Sequence, residues 1–401
     1  MRVSSRSCFG VLVSLALSTS ACQLFLGGED YVLDPGSGGS GGEGGATTTT
    51  SAGGGGATTT TTTTTTSSVG GGGEGGQGGG GGSPPVVSFG TPEVLATGRG
   101  ALRDVVADAT KVYYVVSGAA PQEGLVEALT VGDLSTAPVL PSLTAPRGLL
   151  LDGGQLYTTS GPTDAADTLC RVLRVPTTGG AATTLQSDTS STNCYHAVGL
   201  ATGFSLSSWM PDPLGASRAH IRRATLSPIA PVGASGLSHA DGVAIPALLG
   251  VSGSVYWVDG VQGTVYRRAL NNSVQLNQSA PGSSVTTLAT NQPKVTDLAE
   301  RLGLLYFVSD AGVARVSTST PGATSLTSLV NAPRGVSVDE THVYWADTGT
   351  NRVRAVPLEG GAPVTVWSAG TELPVDTYST GAFVYGITEQ GTVVRVPKTV
   401  E

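Results

Sequence analysis

This chain is short of charge, aromatic rings and lysine, and each shortage removes a class of function. Only 12% of its 401 residues are charged, against a net −8, so Ser, Thr, Asn and Gln must solvate most of the folded surface. Three of the 21 basic residues are lysines (Lys111, Lys294 and Lys398) and the pI is about 5, so the electrostatic footprint of a nucleic-acid binder is missing. Aromatic residues make up 5% and histidines number four, which leaves little material for a catalytic cluster. No segment has sustained helical periodicity, and Gly and Pro recur too often for long helices. The longest apolar run near the N-terminus, Cys8–Leu17, is too short to be a permanent membrane span. There are four cysteines, with no Cys-x-x-Cys and no His-x-x-x-His, so a structural zinc site is not expected.

The N-terminus carries a processing pattern instead. Arg2 and Arg6 precede the apolar run, and Ser18-Thr-Ser-Ala-Cys22 follows it. Small residues ahead of a Cys resemble the bacterial lipobox, with Thr19 where that motif usually has Leu. The resemblance implies a signal peptide over 1–21, lipidation at Cys22 and, with Gln23 next, sorting to the outer membrane. An ordinary signal cut after Ala21 is the alternative. Removing Arg2 and Arg6 takes the net charge from −8 to −8 − 2 = −10. Cys170 and Cys194 then remain as an expected structural disulfide in a secreted chain.

From 22 to 85 the chain is rich in Gly, Thr and Ser, with an unbroken run Thr58–Thr66. Such a segment has too little apolar surface to offset its ordering entropy, so a disordered tether is expected. Roughly 60 residues of flexible coil have an r.m.s. span of about 45 Å.

Residues 86–401 repeat. Thr144-Ala-Pro-Arg-Gly-Leu-Leu-Leu-Asp152 matches Asn331-Ala-Pro-Arg-Gly-Val-Ser-Val-Asp339. An apolar residue followed by Tyr recurs at Tyr113, Tyr157, Tyr256, Tyr306, Tyr344 and Tyr385, with a weaker copy ending at Trp209. Seven units result, about 45 residues apart. Gly335–Asp339, His342–Asp347, Arg352–Leu358 and Val364–Ser368 read as four strands broken by turn residues. Four strands per unit predict an all-β propeller of seven four-stranded blades, with six as the alternative because the Trp209 unit is weak. The last unit stops after three strands, and Glu93–Thr97 stands alone before the first. That orphan is expected to complete the last blade and close the ring.

Val343-Tyr-Trp-Ala-Asp347 with Arg352-Val-Arg-Ala-Val-Pro-Leu-Glu-Gly-Gly361, and Val255-Tyr-Trp-Val-Asp259 with Thr264-Val-Tyr-Arg-Arg268, resemble YWTD and NHL propeller repeats. The resemblance implies an inter-blade structural role for Asp259 and Asp347, each with an Arg on the third strand (Arg267 and Arg354). Tyr256, Trp257, Tyr344 and Trp345 alternate faces on their strands and are expected between blades.

Aligning units on the Tyr step brings Arg103, Arg147, His196, Lys294 and Arg334 to equivalent places, with Asp241 in the fourth unit, His239 two residues before it, and Val375 in the seventh. These places precede the innermost strand, near a channel mouth, where a basic ring would suit an anionic glycan or a peptide carboxylate. The alternative is that each Arg serves neighbouring loop acids and carbonyls. An enzyme reading, of lactonase or lyase type, would use His196, His239 and Asp241. His342 is expected to be solvated at a turn. The folded part carries no Gly-x-Ser-x-Gly. Four Trp are too few for quinoprotein docking motifs, so no cofactor is expected. The expected product is a monomeric, non-catalytic binding module on an envelope lipoprotein, held to the membrane through Cys22, with an unidentified protein, peptide or glycan partner.

Overall fold

The computed structural model describes residues 86–400, except 119–121, 163–168, 190–194, 202–203, 210–217, 227–228, 232–236, 242–244, 252, 261 and 271–284. Most side chains between 188 and 244 also fall outside the description, those of His196, His239 and Asp241 among them. So do residues 1–85, on which the expected signal peptide, Cys22 and the expected tether fall, and Cys194. All described residues lie in the unit Gly80–Glu401.

Short alternating runs ended by Gly, Pro or Asx turns give strands of three to nine residues, which pair antiparallel into seven sheets. In chain order, sheet 1 holds Ala101–Ala107, Lys111–Ser117, Gly124–Thr130 and Thr136–Leu143. Sheet 2 holds Leu149–Asp152, Gln155–Ser160, Leu169–Pro176 and Thr183–Thr189. Sheet 3 holds Tyr195–Ala201, Phe204–Trp209, Arg218–Leu226, Ile229–Pro231 and Leu237–Asp241. Sheet 4 holds Leu248–Val251, Ser254–Asp259, Thr264–Ala269 and Val285–Ala289. Sheet 5 holds Asp297–Arg301, Leu304–Ser309, Gly312–Ser317 and Thr324–Thr327. Sheet 6 holds Pro333–Val338, His342–Asp347, Arg352–Pro357 and Val364–Ser368. Sheet 7 holds Pro374–Ser379, Phe383–Thr388 and Val393–Val400, plus two strands from before sheet 1, Val87–Phe89 and Glu93–Ala96.

The first strand of each sheet packs against the first strands of the sheets before and after it, and sheet 7 returns to sheet 1. The fold is a β-propeller, with the first strands innermost. Closure occurs where the lone strand suggested: Glu93 pairs with Arg395, Val94 with Val394 and Ala96 with Val393. Val87–Phe89, which has no repeat signature, pairs with the far end of the same strand.

Strand alternation decides what fills the space between sheets. Tyr344 and Trp345 are adjacent and fully buried, yet they belong to different clusters. Trp345 packs with Tyr306, Val308 and Val313 of sheet 5. Tyr344 packs with Val384, Val394 and Val396 of sheet 7. Tyr256 and Trp257 split in the same way, toward sheet 5 and sheet 3. A strand buried on both faces has no solvent side, which is why these second strands read as continuous apolar runs.

The Tyr step has a polar cause as well. Tyr113 donates to Asp108 at 2.9 Å and Tyr344 to Asp339 at 2.8 Å. The same carboxylates cap the turn before the second strand, accepting from the amides of Thr110 and Lys111 or of Thr341 and His342 (2.8–3.0 Å). His342 is a correction: it is 7% exposed, edge-on to Phe89 with ring centroids 6.2 Å apart. The unforeseen strand at Val87–Phe89 covers it. Lys398, opposite Phe89 in the register, donates to Asp339 and to the Thr380 carbonyl.

Candidate functional site

Asp347 is completely buried and holds the segment that enters its own sheet. It accepts from the Asn331 amide at 2.6 Å, the Thr350 hydroxyl at 2.7 Å and Arg354 at 3.3 Å. Arg354 also donates to the Leu329 carbonyl at 2.7 Å. Both side chains therefore grip 329–331, the crossover from sheet 5 to sheet 6. Asp259, also fully buried, accepts from the Gln262 amide at 2.8 Å. The Arg partner expected for it requires correction. Trp345 lies opposite Arg354, but Trp257 lies opposite Tyr266, and Arg267 is one residue further on. One step along a strand reverses the face. Arg267 donates instead to the Ser254 hydroxyl at 3.4 Å, while Tyr266 stacks on Trp257 at 5.4 Å.

The innermost strands carry a second recurring set. Nine residues before the Tyr of each clear unit stands a small or acidic residue: Asp104, Gly148, Ala247, Asp297, Gly335 and Asp376. Each Asp accepts the amide one place further along in the next sheet. Asp104 takes Leu149 at 2.7 Å, Asp297 takes Val336 at 2.7 Å and Asp376 takes Val105 at 2.9 Å. Gly335 has φ +43, and an added Cβ would overlap the Asp376 carboxylate and stand 2.6 Å from its Cα. The glycine makes room for the neighbour's acid.

Burial dominates the acidity of these groups. It raises Asp104 to about 6, opposed by hydrogen bonds with Asp376 and with the Leu149 and Val105 amides. It raises Asp297 to about 7, opposed by the Val336 and Leu298 amides and reinforced by the charge of Asp104. Asp376 lies well above the usual carboxylate range, first from burial and then from the charges of Asp104 and Asp297. Sequence reasoning missed all three. The signal that could have found them is the fixed spacing before Tyr, alternating between Asp and residues with little or no side chain.

One position earlier lie Arg103 and Arg334, on the inner strands of sheets 1 and 6, and Arg147, two residues before the inner strand of sheet 2; all three are half-buried. Sheet 7, with Val375 at this place, separates sheet 6 from sheet 1, so the arginines lie within one arc of the ring. Arg103 pairs with Glu389 at 3.2 Å. Lys294, His239 and Asp241 do not join them. Thr296 holds the matching place in sheet 5, and its hydroxyl donates to the Pro333 carbonyl of the next sheet at 3.0 Å. Lys294 sits two residues earlier, exposed, 3.4 Å from Asp310. His196 is on the innermost strand of sheet 3. His239 and Asp241 are on Leu237–Asp241, which pairs with the third strand of that sheet, Asp241 opposite Arg218. The backbone thus puts them on an outer strand rather than before an inner one. Extra residues in unit 3 defeated the alignment. Among the described residues, no group of three or more His, Cys, Asp or Glu side chains is placed to hold a metal ion. Cys170 is buried on the third strand of sheet 2.

No protein-family model matches this chain, and no curated protein matches it. Solved structures are similar in fold. A streptogramin B lyase aligns with a TM-score of 0.55 at 8% identity, covering 77% of this chain and 98% of its own. The virginiamycin B lyase of Staphylococcus aureus aligns at 0.53 and 10% identity, covering 78% and 99%. The computationally designed protein Ika8 aligns at 0.52 and 11% identity, covering 76% and 98%. At such identities the likeness concerns the fold alone.

Proposed function

We propose that this chain is a tethered lipoprotein whose seven-bladed, YWTD/NHL-like propeller works by non-catalytic binding at one mouth of its channel. The count of seven rather than six rests on treating residues 195–241 as a blade of their own. The observation that carries the binding reading is the arc of Arg103, Arg147 and Arg334, at one repeat position on or just before the inner strands of sheets 1, 2 and 6. Guanidinium groups at a rim suit a carboxylated or sulfated glycan, or a peptide terminus. The channel carboxyls are already engaged by amides of neighbouring sheets.

The test is a glycan and peptide array probed with the full chain and with an Arg103→Gln, Arg147→Gln, Arg334→Gln variant. The variant should bind an anionic ligand at least tenfold more weakly, and wild-type binding should fall with salt. Equal binding by the two proteins would retire the arginine arc.

An enzyme reading would rest on Asp104, Asp297 and Asp376, whose raised acidity constants suit proton transfer near neutral pH. Turnover of a lactone or uronate that disappears in Asp297→Asn would favour it over binding alone. Anchoring at Cys22 predicts loss of fatty-acid labelling and of outer-membrane fractionation in Cys22→Ser. A Cys170–Cys194 disulfide predicts that those two thiols are unreactive until the protein is reduced.

A further inference from the structure

Val87–Phe89 is the first strand of the described chain and directly follows the segment expected to be a tether. The ring does not need it to close. Glu93–Ala96 already supplies the fourth strand of sheet 7, through its own ladder and through Arg395 donating to Glu93 at 3.1 Å. Val87–Phe89 is held more lightly. It pairs with Val400, Thr399 and Lys398, and the Gly90 amide after it donates to the Pro397 carbonyl at 2.9 Å.

The rest of its hold is Phe89, and Phe89 covers ionisable groups. Its ring stands edge-on to His342 and to Tyr344, each with centroids 6.2 Å away. His342 is 7% exposed, and its Nδ1 is buried with no hydrogen-bond partner among the described residues. Two charged groups face it: Asp339, on the turn before its own strand, and Lys398, from the third strand of sheet 7. They already match each other. Lys398 donates to Asp339 and to the Thr380 carbonyl, with its ammonium 5.3 Å from the Tyr344 ring centroid. Asp339 also accepts from the Tyr344 hydroxyl at 2.8 Å. Glu340, next along the turn, pairs outward with Arg301 at 3.4 Å. A proton on His342 would therefore place a second, unmatched cation beneath Phe89, away from water.

We propose that His342 makes Val87–Phe89 an acid-released latch. In mild acid the imidazole takes its proton when the strand lifts and water reaches the ring, so the strand leaves Lys398–Val400 while Glu93–Ala96 keeps the propeller closed.

The acidity of the neighbours confines the effect to this histidine. Burial holds the His342 imidazole below the ordinary 6.5, with Asp339 opposing and Lys398 reinforcing the shift. Burial pushes Asp339 up, but hydrogen bonds from Lys398, Thr341, His342 and Tyr344 outweigh it and keep the carboxyl below 3.8, so it stays ionised in mild acid. Tyr344 stays neutral, raised by burial and by the charge of Asp339. A histidine lowered on folding contributes stability above its unfolded value, and the contribution is lost as pH falls through the folded one. With 6.5 for the uncovered ring, protonation at about pH 5 favours the lifted strand by at most about thirtyfold.

Hydrogen exchange of the full chain at about pH 8 and about pH 5, corrected for intrinsic rates, tests the latch. Amides of Val87–Phe89 and of Thr399 should lose about threefold to thirtyfold in protection in acid, while those of Glu93–Ala96 and Leu304–Ser309 change little. His342→Phe keeps a ring beneath Phe89 and cannot titrate, so it should flatten the pH dependence. His342→Gln should do the same, and either variant suffices if the other fails to fold. Titration of the His342 ring by NMR should give a value below 6.5 in the wild-type chain, rising toward it in Phe89→Ala. Latch protection that is the same at both pH values, an acid loss that persists in both His342 variants, or a wild-type ring that titrates as an exposed histidine would overturn the proposal.

Discussion

Replacing Asp347 by Ala is the most direct way to decide whether the recurring Tyr-Trp-x-Asp stretch is a site or a piece of architecture. The carboxylate has no exposed surface and three donors: the Asn331 amide at 2.6 Å, the Thr350 hydroxyl at 2.7 Å and Arg354 at 3.3 Å. Alanine leaves the Asn331 amide without that acceptor and Arg354 with only the Leu329 carbonyl. Removing one partner of a buried pair costs about 3–5 kcal/mol, mostly for the charge left behind. An unsatisfied buried donor alone accounts for about 1–3 kcal/mol of such a loss. Asp347→Asn keeps a carbonyl oxygen for Asn331 and should lose roughly half as much. The assay is urea unfolding of the full chain, compared by midpoint and slope. The reasoning fails if Asp347→Ala lies within about 1 kcal/mol of wild type. It also fails if ligand binding disappears while stability is untouched, since that would make Asp347 a binding residue.

Asp297→Asn carries a pH signature. The rise from 3.8 to about 7 on folding means that ionised Asp297 costs the folded state about 4 kcal/mol above pH 7 and only about 1–2 kcal/mol near pH 5, where the folded form holds its proton. The stability of the variant relative to wild type should therefore improve by about 2 kcal/mol or more between those pH values, and a pH-independent difference in unfolding would refute it. Gly335→Ala should lose at least about 2 kcal/mol, from strain at φ +43 and overlap with Asp376, read as a drop in Tm. Phe89→Ala should uncover His342 and cost about 3 kcal/mol, detectable as a lower urea midpoint and faster exchange in Val393–Val400.

The apolar-Tyr step, the four-strand unit and the lone strand before the first unit were legible because they are local. Each depends on alternation and turn residues within about 45 positions. The burial of Tyr344 and Trp345 followed from the same pattern, whereas a structural role for Asp347 came from the resemblance to YWTD repeats, which did not foresee its complete burial. Arg267 and Asp241 were misplaced for one reason: sequence spacing does not reveal register. A bulge or an extra strand moves a residue to the other face or to the outer edge.

By itself, then, the sequence determined the kind of blade, the place where the ring closes and the residues that fill the layers between sheets, since periodicity and turn chemistry act over a few residues. Only the tertiary structure decided which polar groups meet. Asp376 takes the Val105 amide across 271 positions, and each inner-strand acid is matched by the neighbouring sheet's amide. Such pairs arise from ring closure, which brings first strands together however far apart they lie in the chain, and no local pattern records the partner.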